Sequence, residues 1–148
     1  MLAVQGHPDF SLNYNVYIYT GALMGTLMFL NVWLIIWPAQ KVVIASSESV
    51  GGGGEADPNA ASCLGKAGLA SRTNTLFSIP MLFFMGAARG LISGNPTSEN
   101  AFIASIILIL LIQANAVKGK MGPMASVKGV IHCGLALTVI LYCSHCFI

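Results

Sequence analysis

A run of about 22 residues without a formal charge, Val16 to Trp37 (VYIYTGALMGTLMFLNVWLIIW), limits what this chain can fold into more than any other feature. At ~1.5 Å per residue it is long enough to cross a ~30 Å hydrocarbon layer as a helix. Lipid gives a bare backbone no hydrogen-bond partner, so the run must be helical, and the other apolar stretches must pack on it or face lipid. Only 8% of the 148 residues are charged and mean hydropathy is +0.76, whereas about a quarter of a soluble domain is charged. The expected class is therefore all-α, a polytopic membrane protein of four transmembrane helices forming one membrane domain over 1–148. A net charge of +2 is too slight to point to nucleic acid, so the expected partners are the lipid bilayer and other membrane subunits.

The first 15 or so residues lack the basic start and long apolar run of a secretory signal, and the first span, about 16–37, is expected to insert uncleaved. Tyr14, Tyr17 and Tyr19 mark one interface, Trp33 and Trp37 the other, and Pro38 is expected to stop or kink the helix. Gly21 and Gly25 form a GxxxG pair, a packing face or a chance spacing. Asn31, the deepest polar residue of the span, reads as an interhelical hydrogen-bonding residue, with a ligand role as the alternative.

Residues 39–71 turn to Ser, Gly, Ala and charge, and are expected to be a flexible loop with a short interfacial helix from Ala60 to Ala70. The run Gly51 to Gly54 has no GK[ST] after it and no strand before it, so it reads as linker rather than phosphate cradle. A second span, about 74–92, holds Pro80, which frees a carbonyl and bends the axis, and ends near Arg89, which can snorkel. SGNPTSEN is a turn, and spans at about 101–117 and 127–148 follow it.

Charge sets the expected orientation. Lys41, Lys66, Arg72, Lys118, Lys120 and Lys128 lie near the loops after spans one and three, and only Arg89 lies towards the other side. By the positive-inside rule loops 39–71 and 118–126 are cytoplasmic and both termini lie outside, periplasmic if the membrane is a bacterial inner membrane.

Candidates for chemistry are few. His132, beside Cys133 in span four, suits either a hydrogen-bonded packing role or axial ligation of haem. In the tail YCSHCFI, Cys143, His145 and Cys146 are the residue types that hold a soft metal, yet at helical spacing Cys143 and Cys146 share a face that His145 does not. The four cysteines do not form a secreted-type disulfide framework, since three sit in or beside a span. No nucleophile triad, paired-carboxylate site or zinc-protease motif appears, so no catalytic residue is assigned and no activity is expected of the chain on its own.

YTGALMGTLMFLNVWLIIWPAQKVV, the following ADP, and ASRTNTLFSIPMLFFM together resemble the later part of the membrane domain of bacterial urate hydroxylases, the membrane urate oxidases. The matching positions are Gly21, Ala22, Gly25, Thr26, Met28, Asn31, Val32, Pro38, Gln40, Asp57, Pro58, Arg72, Asn74, Pro80, Leu82 and Phe83, within roughly 19–85. The resemblance implies a helical membrane scaffold and urate oxidation as the associated chemistry, with histidine-bearing helices preceding this region. Gln113 and Ala114 stand where the next helix of that family tends to carry an Arg-His pair, and the c-type haem motif CxxCH is absent from the sequence.

The leading expectation is an accessory or structural subunit of a larger membrane redox complex, of respiratory or oxygenase type, that steadies its partners through helix packing. Gly21, Gly25, Asn31 and Pro80 are its packing residues. The alternatives are a haem-binding, urate-hydroxylase-like oxidoreductase, resting on the resemblance and His132, and a small transporter or channel, resting on Pro80 and Asn31.

Overall fold

A computed structural model describes residues 12–88 and 98–147. Five α-helices carry them: α1 (Leu12–Asn31), α2 (Trp37–Gly51), α3 (Ala60–Gly86), α4 (Glu99–Lys118) and α5 (Val127–Phe147). A π-helical turn, Val32–Ile36, joins α1 to α2, and a 3-10 turn, Gly122–Ala125, leads into α5. The all-α expectation holds, with no strand among the described residues. Residues 1–11, Arg89 with the expected end of the second span, most of the SGNPTSEN turn and Ile148 lie outside them.

Pro38 neither ends nor breaks the first helix. It falls in the first turn of α2, where a missing N–H is tolerated, and the π turn before it widens the coil where the ring would otherwise meet the preceding carbonyls. The Trp37 N–H accordingly bonds the carbonyl of Val32, five residues back. The flexible loop expected over 39–71 is therefore helical to Gly51 and again from Ala60. Most of the glycine run terminates α2. The Gly52 N–H caps the carbonyls of Glu48 and Ser49, and Gly53, at φ 84°, takes the left-handed conformation that favours glycine. The Asp57 N–H donates to Ser46 Oγ at 3.0 Å, and Asp57 Oδ1 accepts from the Asn59 N–H at 2.7 Å, which turns the chain into α3.

Helix α3 retraces the long α1–α2 rod. Gly21 faces Met81 and Met85, Asn31 faces Asn74, and Ser46 meets Asp57, so one chain descends as the other climbs. Helix α5 runs parallel to α3, with Gly134 against Leu76 and Ile79, and His145 against Phe84. Ser98 caps α4, its Oγ accepting from the Ala101 N–H at 3.2 Å. Ser105 and Ser144 share a 3.1 Å hydrogen bond between α4 and α5. Tyr17, Met24, Phe77, Phe84, Ile109 and Leu141 fill the core.

The outside of the bundle is as apolar as its inside. Trp33, Leu34, Ile107, Leu111, Leu135 and Val139 are all exposed, as suits a lipid-facing surface and not a water-facing one. Among the described residues, three helices are long and apolar enough to cross a membrane: Asn15–Gly51, Glu99–Lys118 and Val127–Cys146. Four such spans were expected. The second, α3, holds Arg72, Thr73, Asn74, Thr75 and Ser78 in its middle, which lowers its hydropathy; Arg72 and Asn74 bond to neighbouring elements, while Thr73, Thr75 and Ser78 bond carbonyls of their own helix. The Asn15–Gly51 helix, 37 residues long, spans about 55 Å and so exceeds a ~30 Å hydrocarbon layer.

Candidate functional site

A set of three carboxamides meets at the junction of α1, α3 and α4. Asn31, 1% exposed, donates from Nδ2 to Asn74 Oδ1 at 2.8 Å and to Gln113 Oε1 at 3.0 Å. Its own Oδ1 accepts from Gln113 Nε2 at 2.6 Å, which makes a reciprocal pair. Asn74 Nδ2 then donates to the Met28 carbonyl at 3.1 Å. Both N–H groups of Asn31 and its carbonyl are thus engaged, the condition under which a buried amide is tolerated. Asn74 and Gln113 were not singled out as packing residues from sequence. The signal that could have found them is their type, since each is an amide inside or beside an apolar helix and Asn31 needed partners.

The small residues sit where helices come closest. A Cβ on Gly21 would lie 2.9 Å from Met85 Cγ and 3.4 Å from the Met81 carbonyl, and one on Gly25 would lie 3.4 Å from Met81 Sδ. The GxxxG face is therefore turned towards α3. Pro80, buried, denies the Leu76 carbonyl its usual helical N–H partner. Gly134 packs at that carbonyl, where an added Cβ would stand 3.0 Å from the Leu76 oxygen and 2.7 Å from Ile79 Cδ1.

His132 lies on the outer stripe of α5 with Ile131, Leu135 and Val139, exposed. Its Nδ1 is 2.6 Å from the Lys128 carbonyl, a contact that makes Nδ1 the protonated nitrogen and leaves Nε2 free as an acceptor directed off the bundle. Among the described residues no two histidines stand where they could ligate one haem together. The other described histidine, His145, is buried about 20 Å along the same helix, its ring edge-on to Tyr17 and Phe84 at centroid distances of 5.9 and 5.5 Å. The tail does not gather a metal site either. Cys143 is exposed on one side and His145 buried on another, while Cys146 neighbours the hydroxyls of Tyr17 and Tyr142. Among the described residues no three His, Cys, Asp or Glu side chains are placed to hold a metal ion.

These features define a class: an all-α bundle with three helices fit for membrane insertion, bound together by small-residue contacts and amides. The chain belongs to the urate oxidase N-terminal family, whose sequence model matches residues 8–142. The match extends well beyond the 19–85 stretch that carried the resemblance, taking in α4 and most of α5. No curated protein and no solved structure matches the chain.

Proposed function

We propose that this chain is the packing scaffold of a larger membrane-embedded, urate-oxidising assembly, contributing helix faces to partner subunits and no complete catalytic centre of its own. One observation carries the reading. Amides inside the bundle are spent on holding helices together, whereas His132, the exposed one of the two described histidines, lies on the outer stripe of α5, where a second chain or further helix would complete a site. Helix α3 is the fourth span in this reading, with both chain ends on the outer side of a bacterial inner membrane and the α2–α3 and α4–α5 connections cytoplasmic. Lys41 stacked over Trp37 at 5.3 Å, and the lysines of the α4–α5 connection, support that orientation.

A second reading is favoured by the Lys128 contact of His132. A backbone acceptor on Nδ1 is the usual way in which a protein orients Nε2 as a ligand, so His132 supplies one axial position of a haem shared with a partner, as in a urate-hydroxylase-like oxidoreductase. The test is to solubilise membranes of the source organism mildly and follow urate-dependent oxygen uptake through size fractionation. Activity is expected to co-elute with this chain at a mass well above 15.5 kDa and to be absent from the isolated chain. Turnover by the isolated chain refutes the scaffold reading. Activity that fractionates away from the chain refutes the link to urate.

A further inference from the structure

Helices α4 and α5 leave a crevice of about 500 Å³ between them, walled by Leu108, Leu111, Ile112, Leu137 and Ile140, with Lys120 at its edge. Its depth is telling. Leu108 lies ten residues below Lys118, about 15 Å along the helix, half of a ~30 Å hydrocarbon layer and so the depth of one leaflet.

The backbone of Lys120 is held at the mouth. Asn115 Oδ1 accepts from the Lys120 N–H and Asn115 Nδ2 donates to the Lys120 carbonyl, both at 3.3 Å. Gly119 lets this clamp close, because a Cβ there would collide with Asn115 Oδ1. From Lys118 to Lys128 the chain carries Lys118, Lys120 and Lys128 and no carboxylate. Arg72 adds a further cation at this end, its Nη1 donating to the Met124 carbonyl at 2.9 Å. A dry slot one leaflet deep beneath a cationic rim is complementary to a molecule with a long apolar tail and an anionic head.

We propose that the α4–α5 crevice binds an anionic phospholipid, with one acyl chain between the helices and its phosphate at Lys120. The assignment does not depend on the reading of function given above. It is tested on the full chain, delipidated in a neutral detergent and titrated with phosphatidylglycerol or phosphatidylcholine of identical chains, counting bound lipids by native mass spectrometry. Phosphatidylglycerol is expected to bind about fivefold more tightly than phosphatidylcholine. Lys120→Gln, a change at an exposed site, should remove about fivefold of the phosphatidylglycerol affinity and leave phosphatidylcholine unchanged, whereas Lys120→Arg retains the preference. Ala136→Trp, which fills the crevice from its exposed wall, should displace both lipids, with helicity by circular dichroism confirming the fold. Equal affinity for the two lipids, or a preference that Lys120→Gln does not touch, overturns the proposal. Binding of inorganic phosphate as tight as that of phosphatidylglycerol also overturns it, because the acyl chain then contributes nothing.

Discussion

Replacing Asn31 by Ala is the sharpest probe of how these helices hold together. The substitution removes three hydrogen bonds at once, two donated to Asn74 and Gln113 and one accepted from Gln113. Interhelical hydrogen bonds in a bilayer average about 0.6 kcal/mol, so three bonds amount to about 2 kcal/mol. Gln113 then loses both of its partners at Asn31, and in a region with little water this unmet demand pushes the loss upward rather than downward. Asn74→Ala removes one bond to Asn31 and one to the Met28 carbonyl, so it should be milder, about 1 kcal/mol. Unfolding in mixed micelles with increasing denaturing detergent gives the free energies. A double-mutant cycle between Asn31→Ala and Gln113→Ala should show a coupling of about 1 kcal/mol, because their two bonds are shared. A loss under about 0.5 kcal/mol for Asn31→Ala, or a cycle that adds without coupling, refutes the claim that this pair joins α1 to α4.

Other substitutions follow from the same contacts. Gly134→Ala should destabilise by about 1–3 kcal/mol in the same assay, because its Cβ meets the fixed Leu76 carbonyl at 3.0 Å, whereas Gly21→Ala should cost less, since the nearest backbone atom, the Met81 carbonyl, stands off at 3.4 Å and its shortest contact is the side-chain atom Met85 Cγ. Tyr17→Phe should shift stability by less than about 1 kcal/mol, measured by thermal unfolding, as the neighbour of the buried Tyr17 hydroxyl is the Cys146 thiol, a weak hydrogen-bonding group. His132→Ala should leave the stability of the isolated chain within about 0.5 kcal/mol, because the ring is exposed, while removing any haem absorbance from an intact assembly.

The span from Val16 to Trp37 was legible because charge-free length alone forces a helix in lipid, and Asn31 stood out because an amide there demands a partner. Which partner it takes was not legible. Asn74 and Gln113 lie 43 and 82 residues away, and helical periodicity orders residues within one helix without registering one helix against another. Pro38 misled for a local reason. Proline was read as a stop or a kink, and the stop is what fails: a π turn upstream lets the helix run through it to Gly51, and sequence gives no sign of where a helix will widen. The tail was legible in its spacing: helical pitch already set His145 off the Cys143–Cys146 face, and α5 places Cys143 outward and His145 in the core.

Position 113 shows why the interior favours holding over chemistry. Carboxamides donate and accept without carrying charge, so Asn31, Asn74 and Gln113 link three helices while placing no ion in a medium that penalises one. The resemblance to urate hydroxylases implies an Arg-His pair where Gln113 and Ala114 stand, and here these positions face different ways: Gln113 reaches into the amide cluster, while Ala114 is exposed on the outer side of α4. Gln113→Arg would bring a guanidinium against Asn31, lose the acceptor that Asn31 Nδ2 uses, and leave the charge with only amide oxygens to satisfy it. The expected loss is about 3 kcal/mol in the micelle unfolding assay, larger than for Gln113→Ala. Ala114→His, by contrast, should be tolerated within about 1 kcal/mol and place an imidazole on the outward surface, as His132 already is on α5. If Gln113→Arg proved neutral, the junction would be wet rather than dry, and an ion or polar substrate would then have a route to it that the scaffold reading denies.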